Sequence, residues 1–98
     1  MKTNIEIQTK ESQNAVLLLV TGEIDMSTSN KLREALLQTL KNKKETVAVS
    51  LEKINYIDSS GLATLVEGLQ NTIRYGGTFK LILKNQKIPR HQSFYLCN

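Results

Sequence analysis

A chain of 98 residues supports one domain rather than two, and a domain of that size buries roughly 65% of its unfolded surface, enough for one core without metals or disulfides. The apolar fraction of 40% and charged fraction of 22% are those of an ordinary soluble globular chain, and the single cysteine, Cys97, excludes an internal disulfide and fits a reducing cytoplasm. The net charge of +4 is uneven: residues 1–67 hold 8 Lys/Arg and 9 Asp/Glu, whereas residues 68–98 hold Arg74, Lys80, Lys84, Lys87 and Arg90 and no acid, a solvated basic face without the aromatic interleaving or motif of a nucleic-acid binder.

Asn4-Ile5-Glu6-Ile7-Gln8-Thr9-Lys10 alternates apolar and polar residues, the period of a strand with one wet face. Glu11-Ser12-Gln13-Asn14 reads as a turn. Ala15-Val16-Leu17-Leu18-Leu19-Val20-Thr21 then predicts a strand covered on both faces and paired with the first as a hairpin. Its apolar run is far too short to span a bilayer, and Met1-Lys2-Thr3-Asn4-Ile5-Glu6 has no signal-peptide core. Gly22-Glu23-Ile24-Asp25-Met26 reads as a loop, with Ser27, Thr28 or Ser29 available to cap the helix that follows. In that helix Leu32, Ala35, Leu36 and Leu40 share one face.

Thr46-Val47-Ala48-Val49-Ser50-Leu51 predicts a third strand, and Glu52-Lys53-Ile54-Asn55-Tyr56-Ile57 leads from it to a serine pair. A second helix carries Leu62, Leu65, Val66, Leu69 and Ile73 on one stripe and stops at Gly76-Gly77. Thr78-Phe79-Lys80-Leu81-Ile82-Leu83 is a fourth strand. Residues 84–98 contain Pro89 and no clear period, which predicts an irregular tail with Phe94-Tyr95-Leu96 packed back on the sheet. The order strand, strand, helix, strand, helix, strand implies an α/β domain: a mixed four-stranded sheet in which the first strand is antiparallel and the last three are parallel.

Ligands of parallel α/β sheets gather at the carboxyl ends of the strands. That edge is predicted to carry Glu23, Asp25, Asp58 and Ser59 together. The enzyme readings are poorly supplied. The only histidine, His91, lies in the tail, Gly-x-Ser-x-Gly is absent, and no phosphate-cradling glycine spacing occurs. One cysteine and one histidine make no metal cluster, although several carboxylates at a strand edge are able to take Mg²⁺. A hydroxyl between a strand and a helix sits where free N–H groups and the helix dipole favour negative charge. Ser59 and Ser60 there can cap the helix, hold an anion or carry a phosphate. Gly61 is open to a simpler reading, a tight turn and close packing, and Asp25 to bonding the N–H groups that start the first helix.

Tyr56-Ile57-Asp58-Ser59-Ser60-Gly61-Leu62 resembles the phosphorylation motif of the bacterial anti-sigma factor antagonists, which are STAS domains. Gly22-Glu23-Ile24-Asp25 and Leu32-Arg33-Glu34-Ala35-Leu36 are similar to that family at the right distances, so the likeness covers about residues 4–83. The resemblance implies one STAS domain over residues 1–98, cytoplasmic and without enzymatic activity or a cofactor of its own. It implies partner switching. The unphosphorylated antagonist binds an anti-sigma factor that is also a serine kinase, phosphorylation of Ser59 ends the binding, and a serine phosphatase resets the cycle. Asp58 then supports the loop, Glu23 and Asp25 shape the neighbouring loop and contact the partner, Ser60 caps the helix, and Gly61 lets the partner approach closely. A phosphate on Ser59 is expected to be tolerated by its own helix N-terminus.

The chain departs from the family after the fourth strand, where a further amphipathic helix is usual. An uncovered apolar patch there invites association, so a homodimer or a tail that covers the gap is expected. Two rival readings stay open: a STAS subunit of a lipid-transport or stress-signalling complex, and a module binding a nucleotide or anion at the Ser59 helix start.

Overall fold

The computed structural model describes residues 5–84. They form β1 (Ile5–Glu11), β2 (Ala15–Ile24), α1 (Ser29–Leu40), β3 (Thr46–Ile57), α2 (Ser59–Arg74) and β4 (Thr78–Ile82), in the predicted order. β1 pairs antiparallel with β2 from Ile5↔Gly22 to Glu11↔Val16. The Ser12 N–H donates to the Ala15 carbonyl at 2.8 Å and closes the hairpin. β2 pairs with β3 and β3 with β4 in parallel, so the spatial order is β1-β2-β3-β4.

Because β2, β3 and β4 follow one another in one direction, two right-handed crossovers bring α1 and α2 over the same face. The core fills that side. Val16, Leu18 and Val20 of β2, Val47 and Val49 of β3 and Phe79 of β4 are buried with Leu32, Leu36 and Leu40 of α1. Among the described residues, helices cover only one face of β2, where the sequence predicts cover on both. Leu17 and Leu19 point away from the helices and are only half-buried.

Two strands outrun their predicted ends. Gly22, Glu23 and Ile24 belong to β2 rather than to a loop, and β3 continues through Glu52-Lys53-Ile54-Asn55-Tyr56 to Ile57. Pairing between β2 and β3 persists to Ile24↔Ile57, which keeps these less apolar residues extended despite two register shifts. The mutual pairing of the two strands therefore carries both chains to the same edge.

α2 is rotated about its axis, so that only one edge of its predicted apolar stripe, Leu65 and Leu69, faces the core. Gly61, Thr64, Leu65, Gly68 and Thr72 are its buried residues, while Leu62, Val66 and Ile73 are exposed. Close approach explains the choice. A Cβ on Gly68 would lie 3.2 Å from both Leu36 Cδ1 of α1 and Phe79 Cε1 of β4. The buried hydroxyls cost little, because Thr64 donates to the Ser60 carbonyl at 3.0 Å and Thr72 to the Gly68 carbonyl at 2.8 Å. The helix ends as predicted at the glycine pair. Gly76 has φ +89, its N–H donates to the Ile73 carbonyl, and the Gly77 N–H donates to the Thr72 carbonyl, the paired bonds of a Schellman stop. No described helix is long and apolar enough to cross a membrane. Most of the expected tail, with His91, Cys97 and the Phe94-Tyr95-Leu96 triplet, lies outside the described residues.

Candidate functional site

Two short connections leave the carboxyl edge of the parallel strands side by side. Ile24 and Ile57 are register partners, and the Asp58 N–H donates to the Ile24 carbonyl at 3.0 Å. Asp25 and Asp58 follow directly. The topological expectation that these two carboxylates share a neighbourhood with Ser59 is met.

Each aspartate organises the helix that comes after it. Asp58, in extended backbone, is the N-cap of α2. Its Oδ1 accepts from the Ser60 N–H at 2.9 Å, the Ser60 hydroxyl at 2.6 Å and the Gly61 N–H at 3.2 Å. Asp25 Oδ1 accepts from the Ser27 N–H at 2.9 Å, the Ser27 hydroxyl at 2.7 Å and the Thr28 N–H at 3.2 Å. Thr28 is the N-cap residue of α1, but its own side chain does not cap the helix. Its buried hydroxyl accepts from the Asp25 N–H at 2.9 Å and donates to the Glu23 carbonyl at 2.7 Å, tying the end of β2 to the start of α1.

These bonds favour the charged form of both carboxylates. The Ser27 hydroxyl is the main cause that holds Asp25 below the usual carboxylate range, against partial desolvation. The Ser60 hydroxyl does the same for Asp58, opposed by desolvation and by the Asp25 charge. Among the described residues neither carboxylate has a Lys or Arg within ion-pair distance.

The serines have divided roles, and they correct two expectations. Ser60 does not cap α2; Asp58 does, and Ser60 braces the cap. Ser59 lies at the first helical position, exposed, and among the described residues its hydroxyl enters none of the site's hydrogen bonds. The cap also takes the N–H groups of Ser60 and Gly61, so the helix start offers a phosphate its dipole but not those two donors as free groups.

Gly61 is likewise not a surface for a partner. It is buried, and a Cβ built there would lie 2.5 Å from Ile24 Cγ2 and 2.7 Å from Ile57 Cγ1. The close-packing reading is the correct one. Glu23 precedes the buried Ile24 in β2, so its side chain points to the sheet face opposite the helices, and its carbonyl rather than its carboxylate serves the site.

The connections therefore repeat one pattern, Ile24-Asp25-Met26-Ser27 and Ile57-Asp58-Ser59-Ser60. In each, the residue between aspartate and serine is turned outward: Met26 is 82% exposed, and Ser59 is its counterpart. Sequence reading singled out neither Met26 nor the paired roles of Ser27 and Ser60, although the repeated Ile-Asp-x-Ser was available as a signal. Among the described residues no group of three metal-ligating side chains converges. Chemically, the edge presents a free hydroxyl beside two ionised carboxylates.

The STAS domain family matches this sequence over residues 6–95. The anti-sigma-B factor antagonist of Bacillus subtilis (strain 168) is 29% identical over 87 residues, which span 89% of this chain and 79% of that protein. The anti-sigma-B factor antagonist of Staphylococcus aureus (strain NCTC 8325 / PS 47) is 30% identical over 84 residues, 86% of this chain and 68% of that protein. Among solved structures, an anti-sigma factor antagonist from Mycobacterium paratuberculosis superposes with a TM-score of 0.75 at 21% identity, covering 83% of this chain and 68% of that one. The antagonist SpoIIAA in its unphosphorylated form gives 0.70 at 16% identity, covering 85% and 74%. Bacillus SpoIIAA in the phosphorylated form gives 0.66 at 18% identity, covering 78% and 70%.

Proposed function

The chain belongs to the STAS domain family, and from that premise we propose that it is an anti-sigma factor antagonist that works by partner switching. Unphosphorylated, it binds an anti-sigma factor that is also a serine kinase, and so frees a sigma factor. The kinase brings ATP. The Ser59 oxygen attacks the γ-phosphorus, the bond to ADP breaks, and the serine gives up its proton. The phosphoprotein leaves, and a serine phosphatase hydrolyses the ester to restore the hydroxyl. The chain is thus a cytoplasmic substrate and binding module rather than an enzyme.

The observation that carries this reading is the division of labour at the start of α2. Asp58 holds the cap, so among the described residues the exposed Ser59 hydroxyl has no hydrogen bond to maintain. The curated relatives named as anti-sigma-B factor antagonists support the partner class.

The magnitudes are sufficient. A phosphate adds about 1.5–2 negative charges. One unit-charge repulsion at ~5 Å and an effective dielectric near 20 is worth about 3 kcal/mol. Two charges and the added bulk reach the ~5.5 kcal/mol that turns a 99:1 population into 1:99. The likeness to SpoIIAA in both its unphosphorylated and phosphorylated forms supports a switch that acts by local repulsion, not by refolding.

A binding titration against the anti-sigma factor encoded in the same genome tests the proposal. Wild type and Ser59→Ala bind, and Ser59→Glu does not. Equal binding by Ser59→Glu contradicts the proposal.

A further inference from the structure

The two helices that start at the Ser59 edge end together at the opposite one. There α1 stops at Leu40 and α2 at Arg74, and a cleft of about 370 Å³ opens between their last turns. Its floor is apolar: Leu40 is buried, and Leu37 and Tyr75 are half-buried. Its rim is cationic. Lys41, Lys43 and Arg74 line it, all exposed, and among the described residues none of the three has an acid within ion-pair distance. Asn71, also in the lining, accepts from Arg74 Nη1 through its Oδ1 at 2.7 Å. The turn that carries Lys43 is fixed to the scaffold. Lys44 Nζ donates to the Ser12 and Gln13 carbonyls at 2.7 and 3.2 Å, and the Tyr75 hydroxyl donates to the Lys44 carbonyl at 2.8 Å. Lys44 is thereby engaged, whereas Lys43 is not. The negative ends of two helix dipoles account for cations at this edge. They do not account for an apolar floor between the cations.

We propose that this cleft is a second docking site, separate from Ser59, for an acidic segment of a partner protein that carries one large apolar side chain between its carboxylates. The occupant follows from charge and shape. Three cations with no acid in the lining call for a ligand of several negative charges. A bare phosphate would leave Leu37 and Tyr75 wet. A membrane surface takes up apolar side chains that stand beyond the cations. Here the order is reversed, with the apolar groups below the cations, and among the described residues no exposed large apolar side chain lines the cleft. An aromatic or aliphatic side chain on the floor, with carboxylates reaching Lys41, Lys43 and Arg74, satisfies both halves of the site.

The site stands apart from the Ser59 reading. α2 has 16 residues and is about 24 Å long, so the cleft and Ser59 lie at opposite ends of one helix. That separation exceeds the screening length of about 8 Å at physiological salt. A charge on Ser59 therefore leaves the cleft unaffected, and the chain is able to hold an acidic partner at one edge while the other edge is switched.

The test uses the full chain and a synthetic peptide, acetyl-Glu-Glu-Phe-Glu-Glu amide, with binding followed by amide chemical shifts. A second peptide has serine in place of phenylalanine. The cleft variant is Lys43→Gly with Arg74→Gln; Lys43 has φ 51, an angle that glycine adopts freely, so its loss does not endanger the fold. Lys10→Gln with Lys80→Gln is the control, which removes the same charge from exposed strand positions. Melting curves establish that each variant is folded. The wild type should give saturable shifts at the ends of α1 and α2. Binding should be at least fivefold weaker in the cleft variant, at least tenfold weaker for the serine peptide, and changed less than twofold in the control. Absence of saturable shifts in the wild type overturns the inference, as does an equal loss in the two double variants. Phosphatidylglycerol vesicles provide the last arm: if the wild type binds them but not the peptide, and the cleft variant binds neither, the cleft belongs to a membrane surface and the inference is overturned. None of these outcomes bears on Ser59, so the two readings fail separately.

Discussion

Asp25 and Asp58 occupy matching positions at the ends of neighbouring parallel strands, and each holds the serine two residues on through both its amide and its hydroxyl. The consequence is geometric. A carboxylate that closes such a turn pushes the intervening residue outward, which presents Met26 on one connection and Ser59 on the other. A modifiable hydroxyl can stand at a helix start only if something else does the capping, and here the neighbouring aspartate does it.

This division predicts unequal costs for the two serines. Ser59→Ala removes no hydrogen bond among the described residues and should change the unfolding free energy by less than about 0.5 kcal/mol. Ser60→Ala removes the 2.6 Å bond to Asp58 and should cost about 1 kcal/mol. Urea unfolding of the two variants checks the difference, and equal losses would count against the assignment of the cap to Asp58.

Acid should weaken the fold through the same two turns. Both carboxylates titrate below the ordinary value near 3.9 in the folded state. Around and below that pH the folded chain therefore binds fewer protons than the unfolded chain. Stability rises with pH there, is fully present above the unfolded value, and is lost as pH falls through the folded values. Asn is also a good cap, so Asp25→Asn with Asp58→Asn keeps the turns while removing the titration. Urea midpoints measured from neutral pH into acid should fall less steeply in that double variant than in the wild type.

Gly61 sits under the site, not on it. Its missing Cβ would meet Ile24 and Ile57 at 2.5 and 2.7 Å, the two residues that end β2 and β3. Gly61→Ala should cost about 1–3 kcal/mol by overpacking and should shift amide resonances of both connections. A variant as stable as the wild type would show that α2 can slide away from the sheet.

Lys43 carries a positive φ of 51° just after α1. That conformation costs a side-chain-bearing residue roughly 1–2 kcal/mol, and glycine adopts it freely. The flexibility that glycine adds to the unfolded chain returns about 0.4–1 kcal/mol. Lys43→Gly should therefore stabilise the protein by about 0.5–1 kcal/mol, read as a higher urea midpoint, with no effect on partner binding at the opposite edge.

Elements that alternate or repeat strongly were legible in the sequence. The hairpin, the inward face of α1 and the glycine stop of α2 all follow from period and turn chemistry. The inward face of α2 followed only in part, at Leu65 and Leu69, because period locates a stripe but not the side on which the core lies. Gly61 and Gly68 look like a poor inner face until Ile24 and Ile57 are seen to leave no room for a larger residue at Gly61, and Leu36 and Phe79 little at Gly68. The length of β3 was hidden because its last residues owe their extension to pairing with β2 rather than to their own composition. Asp58 was placed in the site but not given the cap, since two adjacent hydroxyls offered the more obvious donors and acceptors. The aspartate wins because one carboxylate oxygen accepts three bonds at once.

The central claim is that Ser59 is the residue whose charge is switched. Incubation with ATP and the serine kinase encoded in the same genome, followed by intact mass and peptide mapping, tests it most directly. The account predicts one added phosphate, located on Ser59, and none on Ser59→Ala. A phosphate on Ser60 or elsewhere, or a Ser59→Ala protein modified as readily as the wild type, would contradict it.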